Sequence, residues 1–330
     1  MSESIVSIRN LGTHYPITGG WFGPTPVVRA LDNIDMEIKR GQFFGLVGES
    51  GSGKTTLGRA ILKAAPISAG KIIFYDGEKE LDINTLAKQD MLTFRRQAQL
   101  IFQDPYAALS PRMTVRDIIA EPLEVMKLTD SKDETNQRVR EIASECRLNV
   151  EHLRRFPHAF SGGQRQRISI ARALVANPSF MVADESVAAL DVSIQADILN
   201  LLKSLQQQRG LTFLFISHDL SVVAHVCDVV AVMYLGRLVE MAPTRKLFAK
   251  QRHPYTAALL SAIPSLDLDH HHMAIKLEGE IPSPITPPSG CRFHTRCAYA
   301  QDRCKMEIPQ WRKLDDDHSV ACHFADELDL

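Results

Sequence analysis

At 330 residues, 45% hydrophobic and 23% charged, the chain reads as a soluble globular protein with one large domain and a small appendix, or two domains. Its net charge of -1 gives no global reason to expect nucleic acid or an anionic membrane as a partner. No apolar run approaches the ~20 residues that span a bilayer, and Met1-Ser2-Glu3-Ser4 is no signal peptide, so the expectation is a cytosolic chain that reaches any membrane only by docking to another protein.

Residues 5–38 are expected to form antiparallel strands at a sheet edge. Ile34, Met36 and Ile38 alternate with Asp35 and Glu37, as in a strand with one wet face. Between the strands, His14 to Pro24 is a loop by its glycine and proline content. Tyr15 could offer its ring to an adenine base; packing of a strand end explains it equally well.

Phe43-Phe44-Gly45-Leu46-Val47 is an apolar strand, followed by Gly48-Glu49-Ser50-Gly51-Ser52-Gly53-Lys54-Thr55 and a helix-compatible run from Thr56 to Leu62. The middle stretch reads G-x-x-x-x-G-K-[ST], and strand–loop–helix is the context that motif requires. Glycines let the backbone turn its N–H groups inward, while the helix N-terminus adds positive partial charge. Lys54 can then reach the β- and γ-phosphates of a nucleotide, and the Thr55 hydroxyl can ligate Mg²⁺. The alternative is a flexible glycine turn before an ordinary helix.

Lys71 to Tyr75 and Leu81 to Ile83 read as short strands about a turn at Asp76-Gly77, and Gln99 to Phe102 as another strand ending at Gln103-Asp104-Pro105. From Thr114 to about Arg155 the period becomes helical, with Thr114 as a cap and Asp117 three residues on. Its mixed charges predict a solvated helical insert. Ser161-Gly162-Gly163-Gln164 opens the next helix, which is expected to bury Ile168, Ala171, Leu174 and Val175. Two glycines at a helix start can bind an anion, and a plain glycine-rich cap accounts for them as well.

Ser179 to Ala183 is a continuous apolar run, as in a parallel strand covered on both faces, and it ends in Asp184-Glu185. Paired carboxylates leaving a buried strand are costly to desolvate without a cation. One can hold Mg²⁺ through its water shell and the other can orient an attacking water. Leu211 to Ile216 repeats the pattern and ends in Ser217-His218-Asp219. Three strands ending in phosphate-competent groups predict one shared site, since ligands of open α/β sheets bind at the strands' carboxyl ends.

Val229 to about Met241 reads as a hairpin turning near Gly236 that closes the nucleotide domain. From Pro264 the composition shifts to prolines (Pro282, Pro284, Pro287, Pro288, Pro309), charged runs and few large apolar residues. Such a segment buries too little to fold firmly alone and invites a staple. Six cysteines in a reducing compartment argue against disulfides. Cys291, Cys297, Cys304 and Cys322 are the candidate ligands, and a structural zinc centre is worth on the order of 10 kcal/mol. Their intervals of five, six and seventeen residues leave the metal open, as against four buried free thiols. Cys146 and Cys227 read as core residues, and His270-His271-His272 as a solvated linker.

Taken in order, the phosphate loop, Gln103, Ser161-Gly162-Gly163-Gln164, Asp184-Glu185, Ala189-Leu190-Asp191 and His218 resemble the nucleotide-binding subunit of ABC transporters over residues 4–250. Tyr15-Pro16-Ile17 with its Gly/Trp/Phe loop, Ile101 to Arg112, and His253-Pro254-Tyr255-Thr256 resemble the dipeptide/oligopeptide permease branch, and within it the F-type ATPase. The resemblance implies an α/β P-loop NTPase over residues 1–250: a RecA-like core, an antiparallel β subdomain and a helical subdomain at about 104–160. A small irregular domain over 251–330 would follow. It implies ATP contacts from Tyr15, the loop Gly48 to Thr55, Thr56, Gln103 and Asp191, and Mg²⁺ ligation by Thr55, Gln103 and Asp184. Ser161 to Gln164 would grip ATP held by an opposing subunit, with Glu185 as catalytic base, His218 as switch and Lys54 as catalytic cation. Gly290 to His294 and Ala321-Cys322-His323 resemble the branch's C-terminal domain, which implies a [4Fe-4S] cluster on the four cysteines. Ser186, Ala188 and Phe160 depart from the family's usual Pro, Ser and Leu; none is a phosphate or metal ligand.

The expected protein is therefore an ATPase subunit that energises import of peptides or a related solute at the cytoplasmic face of the inner membrane. Its expected partners are a D-type ATPase, two permease subunits and, indirectly, a solute-binding protein, with no nucleic acid. One rival is a soluble ATPase of the superfamily acting on nucleic acid or ribosomes, which predicts tandem cassettes, a coiled coil or a basic patch. The other is a non-hydrolysing scaffold, against which Glu185 and Ser161 to Gln164 speak.

Overall fold

The computed structural model describes residues 3–17, 26–263 and 275–330. Thr18 to Pro24 of the loop after Tyr15, and His270-His271-His272, lie outside the described residues.

Strands β1 (Ser4–Pro16) and β2 (Val27–Lys39) pair antiparallel, with Ile8 opposite Met36. Ile34, Met36 and Ile38 are buried and Glu37 is exposed, as the alternation requires. β3 (Phe43–Val47) leads through the phosphate loop into α1 (Lys54–Ile61). β4 (Ala69–Asp76) and β5 (Lys79–Asp82) complete a four-stranded sheet in the order β2-β1-β4-β5. Helix α2 (Lys88–Gln97) then precedes β6 (Ala98–Ile101). It buries only Phe94, and so thin an apolar stripe left no periodic signal to predict it from.

Three helices follow, α3 (Pro105–Ala108), α4 (Val115–Val125) and α5 (Lys132–Glu145). Thr114 caps α4, its hydroxyl accepting the Asp117 N–H at 3.3 Å. The insert is less solvated than its charges suggest. Val115, Ile118, Ile119, Ala120 and Leu123 are buried as α4 packs on α6 (Gly162–Leu174), and only α5 keeps a largely polar surface.

Next come β7 (Phe180–Asp184), α7 (Val192–Arg209), β8 (Thr212–Ile216) and α8 (Leu220–Val226). After them lie β9 (Val229–Tyr234), β10 (Arg237–Pro243), α9 (Thr244–Ala249) and α10 (Pro254–Ser261). The chain ends with α11 (Asp302–Met306), β11 (Arg312–Asp315) and β12 (His318–Val320). The second sheet has eight strands in the order β11-β12-β10-β9-β3-β8-β7-β6, with β9, β3, β8, β7 and β6 mutually parallel. Its parallel strands are largely apolar because alternate residues feed two cores. Phe43, Met181 and Phe213 face one cluster; Phe44, Val182 and Leu214 face the other, shared with the antiparallel sheet. Phe43 stacks on Phe213 at 4.8 Å, a pair worth about 0.5–1.5 kcal/mol beyond its area.

The hairpin expected near Gly236 forms, β9 pairing antiparallel with β10, and the sheet runs on beyond it. β12 pairs with β10, Glu240 opposite Val320, and β11 pairs with β12. The segment that buries too little alone has instead leaned on the main body. Phe293 is 2% exposed within the larger core, and Arg292 pairs with Asp32 at the β2 side.

Candidate functional site

The site forms where β3, β8 and β7 end side by side. Gly48 has φ +148°, and a Cβ there would stand 2.2 Å from the Met233 carbonyl oxygen, so only glycine fits this bend against β9. Gly53, with φ +107°, turns the chain into α1. Ser50 and Gly51 are exposed at the crest of the loop, Ser52 is buried beneath it, and Thr56 sits half-buried in the first turn of α1. At the middle of α1, Gly58 lets the helix approach Val182 of β7 and Ile216 of β8, each 3.0 Å from where a Cβ would lie. That contact fixes Lys54 and Thr55 relative to both neighbouring strand ends.

Lys54 is 5% exposed, and its Nζ donates to the carbonyls of Gly48 at 2.8 Å and Glu49 at 2.9 Å. Burial pulls its pKa below the ordinary lysine value, opposed by Glu185, Asp184 and Glu49. Thr55 donates its hydroxyl to Asp184 Oδ1 at 3.0 Å. Burial raises the Asp184 pKa, and the Glu185 charge adds to it. A buried ammonium and a buried carboxylate, each short of counter-charge, prepare the loop for a triphosphate and its Mg²⁺.

Glu185 leaves β7 with φ +45°, an unfavourable conformation for a side-chain-bearing residue. Its N–H donates to the Ile216 carbonyl at 3.0 Å, which pins this bend to β8. Gln103, just past β6, donates its Nε2 to Glu185 Oε2 at 2.8 Å. His218 Nδ1 lies 3.4 Å from the other carboxylate oxygen, its side chain 60% exposed. The strand ends thus gather Lys54, Thr55, Asp184, Glu185, Gln103 and His218. Next to Glu185, Ser186 is 2% exposed and its hydroxyl has no hydrogen-bond partner among the described residues.

The other predicted residues, beyond the loop and the strand ends, join none of these hydrogen bonds among the described residues. Ser161 caps α6 in a capping box: its Oγ accepts the Gln164 N–H at 3.4 Å and its own N–H donates to Gln164 Oε1 at 3.0 Å. Both are exposed and make no hydrogen bond to the phosphate loop among the described residues. Gly163 is obligatory there, since a Cβ would meet Ile194 Cγ2 at 2.4 Å. Asp191 is exposed at the start of α7 without capping it. Tyr15, 37% exposed, stands opposite Val28 on β2, two residues from the Ala30 carbonyl that abuts Gly53.

Cys291, Cys297, Cys304 and Cys322 line one small cavity with His253, His294 and His323. Burial pushes the Cys291 thiol up to about 12 and the Cys322 thiol up to about 11. No group of three His, Cys, Asp or Glu side chains able to hold a metal ion occurs among the described residues. The donor chemistry suits a thiophilic metal; the spacing of the side chains does not yet form its cage. Cys146 and Cys227 are buried core residues, as expected.

Sequence reasoning missed the residues that hold the loop from behind. Arg296 donates to both Glu49 carboxylate oxygens, at 2.7 and 3.1 Å, and the Tyr255 hydroxyl accepts the Glu49 N–H at 2.8 Å. Tyr255 lay inside a stretch that carries the family likeness and Arg296 just beyond another; nothing local told what they touch.

Residues 31–188 match the family model described as ABC transporter, and residues 239–304 match that of the oligopeptide/dipeptide transporter C-terminal region. The chain is 44% identical over 326 residues to the di/tripeptide transport ATP-binding protein DppF of Pseudomonas aeruginosa, covering 99% of both. It is 50% identical over 323 residues to a Brucella ovis ATP-binding protein assigned provisionally by its name to peptide import, covering 98% of both. Among solved structures, the ATP-binding cassette MJ0796 in a dimeric post-hydrolysis state with ADP and Pi superposes with a TM-score of 0.63 at 28% identity, over 73% of this chain and 99% of that one. The chain belongs to the ABC transporter ATP-binding proteins, in the oligopeptide/dipeptide branch. It is an ATPase of that family, and among the described residues no helix is long and apolar enough to cross a membrane.

Proposed function

We propose that this chain powers the import of di- or oligopeptides, or a related solute, by hydrolysing ATP at the strand-end site. The observation that supports it most is Glu185 held between Gln103 and His218 beside a buried Lys54, with Thr55 and Asp184 paired alongside. Loop N–H groups and Lys54 would take the β- and γ-phosphates of Mg-ATP. Thr55, Asp184 and Gln103 would face its Mg²⁺, and the Tyr15 ring its adenine. Glu185 would accept the proton of the attacking water while His218 braces the γ-phosphate, leaving ADP and phosphate. Such chemistry is mostly positioning and charge stabilisation.

Exposed Ser161 and Gln164, whose side chains are engaged in their mutual capping box, supply a half-site for ATP on a second, D-type ATPase, with Asp191 lining the joint. Two permease subunits and a solute-binding protein complete the assembly, which places this chain on the cytoplasmic face of the inner membrane. The permease contact is assigned to the open groove beside β6, where Phe102 and Val125 are exposed next to Leu62 and Met126. The four cysteines would hold a [4Fe-4S] cluster, or zinc, as a structural staple; four thiols lining one cavity support this donor set. Residues 1–250 and 251–330 then act as the nucleotide-binding and C-terminal units.

Glu185→Gln tests the reading. Turnover in the assembled transporter should fall about 10²–10⁴-fold while ATP binding persists and closed pairs accumulate. Phosphate release at the parental rate would overturn it.

A further inference from the structure

A phosphate-binding loop with a carboxylate in it poses an electrostatic problem. Glu49 is the second residue of the loop that must receive a polyanion, and its side chain is 25% exposed. The structure answers the problem from 247 residues away: Arg296, with a 6% exposed side chain, grips both carboxylate oxygens in a fork. Its guanidinium also lies 5.9 Å from the centre of the Tyr234 ring. Tyr234, Tyr255 and Phe293 pack edge-to-face or tilted at 4.7–5.3 Å and form a rigid base below the loop.

The Glu49 backbone is used as fully as its side chain. Its N–H is taken by Tyr255, and its carbonyl by Lys54. Tyr255 is itself fixed: His253, neutral because burial lowers its pKa to about 3, accepts the Tyr255 N–H at 3.1 Å and so caps α10. Buried Glu240 accepts the N–H groups of Arg252 and His253 at 2.7 and 3.0 Å. Two groups beyond residue 250, Arg296 and Tyr255, therefore converge on a single position of the loop.

We propose that Arg296 is a positioning residue of the nucleotide site: it neutralises Glu49 and draws its carboxylate out of the phosphates' path, so that the C-terminal segment completes the phosphate loop. The inference rests on the phosphate-loop reading above. Without Arg296 a bare carboxylate faces the incoming triphosphate, and like-charge repulsion weakens binding. The defect lies in a charge, not in a missing brace, so removing the Glu49 charge should repair it.

The test measures the dissociation constant of a fluorescent ATP analogue with Mg²⁺ on the full chain, and KM and kcat for ATP in the assembled transporter. Arg296→Ala, and Arg296→Gln should the alanine form fold poorly, is expected to raise Kd and KM about tenfold with kcat within about twofold. Adding Glu49→Gln to either variant should bring Kd back to within about threefold of the parent. A purely structural brace predicts no such recovery, so a double variant as weak as the single overturns the proposal, as does an unchanged Kd in both singles. Lys54→Ala serves as control. If it binds the analogue at full affinity, the phosphate-loop reading itself has failed; if it does not and Arg296→Ala does, only the role of Arg296 has.

Discussion

The strand-end site and the cysteine pocket are built from opposite materials. At the strand ends, polar groups are bonded to one another: Lys54 to loop carbonyls, Thr55 to Asp184, Gln103 to Glu185. Each of those bonds can be exchanged for a bond to phosphate, Mg²⁺ or water at little cost, since no group is left bare at any step. In the pocket, four thiols sit among Phe293, Phe324 and Leu328, and burial raises the pKa of Cys291, Cys297 and Cys322. A metal there must displace the protons of its thiols, so its binding is linked to pH. The first region is made to turn over; the second is made to stay.

The sharpest way to break this contrast is Lys54→Ala, which should lower the ATPase rate of the assembled transporter about 10²–10³-fold while leaving the far-ultraviolet circular dichroism unchanged. A rate within tenfold of the parent would mean that the exchangeable network is not the catalytic one. Next in size, Cys304→Ser should cost several kcal/mol of stability if the pocket is a staple, about 3–5 by analogy with lost structural cross-links. Urea midpoints, read beside the iron, sulfide and zinc content of the purified protein, check this. A loss of only ~1 kcal/mol with no metal in the parent would leave a pocket of plain buried thiols.

Asp32→Ala should remove about 1–3 kcal/mol. Burial works against the Asp32 carboxylate, yet Arg237 and Arg292 hold its pKa below the ordinary value. Loss of Asp32 leaves Arg292, whose own pKa burial pulls down to about 10, with the Leu235 carbonyl but no carboxylate. Limited proteolysis beyond residue 275 should accelerate in that variant. The smallest effect is a gain. Burial raises the Asp184 pKa above its unfolded value of 3.8, so the penalty is absent below that pH and grows as pH rises through the folded pKa. Asp184→Asn should therefore stabilise the nucleotide-free protein at pH 7, by ~1 kcal/mol, with no gain at pH 3, and should lose Mg²⁺-dependent turnover. Equal midpoints at pH 7 would refute the burial argument.

Legibility in the sequence followed range. Gly48 to Thr55 and the capping box at Ser161 are local chemistry, and both formed as their spacing required. The apolar runs before Asp184 and Ser217 became central parallel strands, since only a strand buried on both faces tolerates such a run. What stayed hidden is long-range. Arg296 meets Glu49 across 247 residues and Arg292 meets Asp32 across 260, and no periodicity records a pairing of that span. Helix α2 was missed for a different reason: one buried phenylalanine does not make a face.

The pairing of β12 with β10 has a practical corollary. Glu240 and Met241 face Val320 and Ser319 across this joint, so the last short strand is the lid on an otherwise open row of backbone donors and acceptors. Shortening the chain before His318 would uncover a flat, apolar template for neighbouring molecules, and expression would fail through clumping before any catalytic defect could be seen.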